Sequence, residues 1–159
     1  MAIGISHRVE AGVHFVGGTV DEHADFQVLL DDNAPVLKIN LRELKWINSL
    51  GVRKMVSLAQ SLGDRDVEFL EVPPVFIEAI NIIPLLIGGQ AHVGRVKSAL
   101  LPMTCKAGHT TELSVPISQI HVDDEFQIPD PPCKVCKMPL APDLDSDLED
   151  YFFFLTLGS

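Results

Sequence analysis

Residues 46–56, "WINSLGVRKMV", decide how this chain is read. An apolar, strand-like run turns into an amphipathic helix through Asn48, Ser49 and Gly51. Val52, Met55, Val56, Ala59 and Leu62 recur at three- and four-residue intervals, with Arg53, Lys54, Ser57 and Gln60 on the other side, so one helical face packs on a sheet. Gly63 ends the helix. Asn48 or Ser49 supplies an oxygen for an orphan N–H of the first turn, worth roughly 1 kcal/mol.

Outward from this point the pattern alternates. "PVLKIN" (35–40) and "VEFLEV" (67–72) read as strands, the second ended by Pro73-Pro74. Pro74 suits the first turn of a further helix, "PVFIEAINII". "VHFVGGTV" (13–20) predicts a hairpin or a strand bending at Gly17-Gly18, "DEHADFQVLLDD" (21–32) a short helix, and "AHVGRVKSAL" (91–100) a last strand. Strand, helix, strand, helix, strand implies an α/β fold: a mixed sheet with helices packed on it.

The bulk properties narrow the function. With 159 residues, 47% of them hydrophobic, the chain can bury an ordinary core. A formal charge of -10 repels phosphate backbones and anionic lipid, so neither nucleic acid nor a membrane is an expected partner. No apolar run nears the roughly 20 residues that span a bilayer, and the first residues lack a signal-peptide core, which implies a cytoplasmic protein.

After Pro102 the character changes. This region holds all three cysteines and acidic clusters at 123–125 and 143–150, with too little apolar periodicity for a large core of its own. "CKAGH" offers Cys105 and His109, and "CKVC" offers Cys133 and Cys136. Two local pairs of soft or borderline donors are what tetrahedral zinc requires, and a closed site would replace the missing core. A degenerate site without metal and a redox dithiol at Cys133 and Cys136 are the alternatives. "YFFFLTL" has the composition of a strand.

No catalytic constellation emerges. Histidines 7, 14, 23, 92, 109 and 121 are scattered, the glycine pairs lack phosphate-loop spacing, and the acids at 143–150 lack the glycine and terminal glutamate of an EF-hand. The expectation is a non-enzyme.

"VLKINLRELKWINSLGVRKMV" (36–56) resembles the centre of STAS domains, the fold of anti-sigma factor antagonists. "HFVGGTVD", with Gly18, Val20 and Asp21, resembles the strand before it, and "VEFLEVPPVFIEAINII" the strand and helix after. The family's Asp-Ser-Ser-Gly reads here Asn48, Ser49, Leu50, Gly51, and its upstream Asp position holds Asn40. The resemblance implies a partner-switching architecture whose usual phosphoacceptor position carries a leucine. It implies a STAS-like domain at 1–101 and, since the tail resembles a zinc ribbon with its aromatic strand, a ribbon-like β extension at 102–159.

The implied role is a non-catalytic protein-interaction module in bacterial cytoplasmic signalling or scaffolding. Ser49, Leu50, Arg53 and Lys54, with Arg42 and Lys45, form the partner surface, a basic exception suited to an acidic patch on another protein or a second copy. A phospho-regulated antagonist using Ser49 is the rival within signalling.

Overall fold

The computed structural model of the protein describes residues 4–122, 126–129 and 131–157. The acidic run 123–125 lies outside them. The fold is mixed α and β. Its main sheet has the order β1 (Ile5–Glu10), β2 (Val13–Val20), β3 (Leu37–Asn40), β5 (Val67–Leu70), with β4 (Leu44–Ile47) pairing the far end of β2. β1 is antiparallel to β2, whereas β3, β4 and β5 run parallel to their neighbours. Helices α2 (Ser49–Leu62) and α3 (Pro74–Ile82) complete the crossovers.

Two expectations shift in this half. The hairpin turns at Ala11-Gly12, both at positive φ, rather than at Gly17-Gly18, where β2 runs on and only slips register against β4. Two residues at positive φ match the twist of a tight hairpin. The helix expected over 21–32 shrinks to α1 (Gln27–Leu30). The Asp21 and Asp25 carboxylates accept from the backbone N–H of His23 and Gln27 at 2.9 Å, local bonds that compete with helical ones.

α2 starts as its sequence predicts. The Asn48 side-chain oxygen accepts from Gly51 N–H at 2.7 Å, so Asn48, not Ser49, is the cap. Gly51 is dictated by the sheet: a Cβ there would lie 1.9 Å from the Val20 carbonyl oxygen, because the first turn sits directly on the end of β2. Met55, Leu58, Ala59 and Leu62 are buried.

The strand expected over 91–100 is displaced. Residues Gln90–Arg95 form 3₁₀ turns, and β6 runs from Ser98 to Cys105. Arg95 is why: its buried guanidinium donates to the carbonyls of Gly63 and Arg65, just past the end of α2, and to that of Ile87, at the end of the 3₁₀ turn 84–87. Burial pulls its pKa down while Asp64 and Asp66 oppose the shift.

β6 joins two sheets. Its entry runs parallel beside β5, with Lys97 N–H to Phe69 carbonyl at 2.9 Å and Leu100 N–H to Val72 carbonyl at 2.8 Å. Its continuation is the middle of a three-stranded antiparallel sheet between β7 (Thr110–Pro116) and β10 (Leu140–Pro142). A short pair, β8 (His121–Val122) with β9 (Phe126–Gln127), lies between them in sequence. The boundary expected between 101 and 102 falls inside β6.

The tail is not the strand its composition suggests. It forms α4 (Leu148–Tyr151) and a 3₁₀ turn (Phe153–Thr156). Asp147 caps α4 by accepting from Asp150 N–H at 2.9 Å, and Glu149 and Asp150 suit a positive helix start. Phe152 and Phe154 are fully buried, and Tyr151 donates its hydroxyl to the Leu100 carbonyl at 2.7 Å. The Asn81 amide fastens the turn, donating to the Tyr151 carbonyl at 2.9 Å and accepting from Phe154 N–H at 2.8 Å. One hydrophobic core therefore runs from Val16 to Phe154.

Candidate functional site

The four expected metal ligands come together. Cys105 ends β6, and the turn back into β7 closes through Gly108 N–H to the Cys105 carbonyl at 2.9 Å and Cys105 N–H to the His109 carbonyl at 3.0 Å. Gly108, at φ +88°, absorbs the extra residue of C-x-x-x-H, so His109 points back at the cysteine. The second knuckle closes through Cys133 N–H to the Met138 carbonyl at 2.8 Å and Lys137 N–H to the Cys133 carbonyl at 2.9 Å, with Lys137 at φ +64°.

All four donor atoms lie within 4.8 Å of one another. Cys105 Sγ is 3.3 Å and Cys133 Sγ 3.8 Å from His109 Nδ1, and the Cys136 thiol donates to Cys105 Sγ at 3.6 Å. Around a tetrahedral ion with metal–sulfur bonds of roughly 2.3 Å and metal–nitrogen bonds of roughly 2.0–2.1 Å, adjacent donors sit roughly 3.5–3.8 Å apart. The donor set fits such an ion.

Protonation supports this. Burial, the largest influence, works to raise the Cys105 thiol, but the His109 and Ala107 amides, the Cys136 thiol and the His109 ring hold it down at about 6. A thiol held this low ionises readily, and the thiolate is the ligand form. The Met138 amide lowers the Cys136 thiol, yet burial and the two neighbouring sulfurs outweigh it and leave it raised.

The six residues expected to meet a partner, Arg42, Lys45, Ser49, Leu50, Arg53 and Lys54, are all exposed. Arg42 is engaged within the chain, 3.2 Å from the Glu71 carboxylate. Asn40, buried below it, donates to Glu71 Oε1 at 3.0 Å and accepts from Arg42 N–H at 2.9 Å, so this asparagine braces the loop that leads to β4. Sequence reasoning passed over Trp46, which is 59% exposed on β4 beside this group. Its signal was available: it is the chain's single tryptophan, next to the capped helix start.

A second cluster escaped the sequence altogether. His14, buried in β2, lies between His7 on β1, 2.9 Å away, and the Asp32 carboxylate, 2.5 Å away. Burial and then the His14 charge lower the His7 pKa, and the His14 hydrogen bond, aided by the Ala34 amide, lowers that of Asp32. His7 and His14 lie on two strands and Asp32 in the loop after α1, with no shared motif, so only the fold reveals them.

Comparisons with protein-family models, with curated proteins and with solved structures find no match to this chain. Among the described residues no helix is long and apolar enough to cross a membrane.

Proposed function

We propose that the chain is a STAS-like, non-catalytic protein-interaction module of bacterial cytoplasmic signalling or scaffolding, with a ribbon stapled by zinc. The observation that carries this reading is Leu50. It stands 44% exposed on the first turn of α2, where the resemblance would place a modifiable hydroxyl, and Trp46, Lys45, Arg53 and Lys54 are exposed around it. An aromatic and an aliphatic side chain bordered by cations suit a partner with an apolar pocket and acidic rim, a second copy of the chain included. Arg42 is the outer member of this set, because Glu71 holds it.

Zinc is the ion assigned to Cys105, His109, Cys133 and Cys136. Three thiolates and one imidazole are soft and borderline donors, and four protein ligands leave no open position for a reacting water, so the ion's role is structural.

The test uses Trp46, the chain's one tryptophan, as reporter. A partner isolated on the native protein should shift the Trp46 emission to shorter wavelength when purified and added back, and Leu50→Asp should abolish that shift with the melting temperature unchanged. Unaltered binding by Leu50→Asp would place the interface elsewhere. A phosphate mapped to the exposed Ser49 after treatment with a cognate kinase would favour the phospho-regulated reading instead.

A further inference from the structure

The three-stranded sheet ends on an open edge. β7 pairs on one side with β6, and among the described residues no strand pairs with its other side. Proline reveals which groups face outward. Pro102, which has no N–H, stands opposite Glu112, and its carbonyl accepts from Asp143 N–H at 2.8 Å, away from β7. Backbone groups along an antiparallel pair alternate sides. Thr111, Leu113 and Val115 therefore turn their amides to β6, and Thr110, Glu112 and Ser114 turn theirs out.

Beside this edge a cleft of about 210 Å³ opens between β7 and the second knuckle, lined among others by Leu113, Pro132, Val135 and Leu140. Val135 is 72% exposed at its rim. Every ligand cysteine is followed by a lysine, Lys106, Lys134 and Lys137, each exposed and none ion-paired with a described residue, on a chain that is otherwise acidic. Among the described residues Glu112 is the one acid in the cleft lining. It also works against a second copy, since a symmetric β7 pair centred there would set two carboxylates face to face.

We infer that the outer edge of β7 takes up an extended peptide as a fourth strand, with an apolar side chain in the cleft against Val135 and acidic residues toward Lys106, Lys134 and Lys137. Outward amides at three alternate positions fit a peptide of roughly five residues, about 17 Å long. Such pairing draws its affinity from the main chain and its specificity from the pocket. The surface is separate from the start of α2.

The probe is a fluorescein-labelled octapeptide of alternating threonine and valine with two glutamates at one end, titrated into the zinc-loaded 159-residue chain by fluorescence polarisation. Saturable binding is expected, with NMR shifts concentrated at the Thr110, Glu112 and Ser114 amides. Methylating alternate backbone nitrogens of the peptide should weaken binding at least tenfold, as should Glu112→Pro, which removes an outward N–H while leaving the ladder to β6 intact, as Pro102 does across from it. Val135→Asp gives a second variant that leaves the strand untouched, with the same loss expected. Equal binding of the methylated peptide, equal binding by both protein variants, or no binding at millimolar peptide overturns the inference. So does preferential binding of single-stranded oligothymidylate, or a dimer that Glu112→Pro converts to monomer.

Discussion

Gly51→Ala tests the join between helix and sheet on which the rest of the fold depends. The added Cβ would stand 1.9 Å from the Val20 carbonyl oxygen and 2.5 Å from its carbon, against the roughly 3.5–4.0 Å at which carbon atoms rest in contact. Both obstacles are backbone, so no side chain can rotate away, and α2 must lift from β2 or tilt. Overpacking costs about 1–3 kcal/mol, and the rigid geometry argues for the upper end. Alanine returns about 1 kcal/mol of helix propensity. The net loss is about 2 kcal/mol, which at 2–4 °C per kcal/mol for a chain of this size lowers the melting temperature by about 4–8 °C. Calorimetry of zinc-saturated protein measures it, with Gly94→Ala as control, because a Cβ at Gly94 meets nothing within 4 Å. The control should melt where the parent does or slightly above. If the two variants behave alike, α2 does not rest on the end of β2 and the assignment of its first turn fails.

Two further outcomes are expected. Loaded protein should contain about one zinc per chain, and chelation should remove hydrogen-exchange protection from residues 105–109 and 133–138 before α2 loses any; simultaneous loss throughout would show that the ion does not act locally. The His7–His14–Asp32 cluster should make stability fall in acid: His7 is held below its ordinary 6.5 in the fold, so its contribution is complete above about pH 6.5 and is lost as pH drops through its lower folded value, while Asp32 keeps its own contribution until below 3.8. Denaturant unfolding at pH 7.5 and 5.0 should therefore show a smaller acid loss for His7→Ala than for the parent, and equal losses would show that His7 carries no such linkage.

Periodicity made β2, β3, β5, α2 and α3 legible, because each buries one regular face. β4 was only partly so: the strand-like run before Asn48 covers Trp46 and Ile47, but "LKWI" is four residues long and leaves its tryptophan exposed, against the usual sense of an apolar run. The aromatic tail misled for a related reason. Its β propensity describes how such side chains pack on a sheet, and here Asn81 offers an amide that copies a backbone partner while α3 offers a face, so a capped turn wins. The Cys105–His109–Cys133–Cys136 donor cluster was legible because its spacing is local and chemical. The His7–His14–Asp32 cluster was not, since 18 residues separate His14 from Asp32 and only strand pairing brings His7 alongside.

β6 has one further consequence. A strand that serves two sheets cannot be dealt to either of them by a cut: a genetic crossover that traded the segment after residue 101 for another would hand each product half a strand, and would also part Leu100 from the tyrosine hydroxyl that its carbonyl receives. Exchange of modules at this join is thus mechanically penalised.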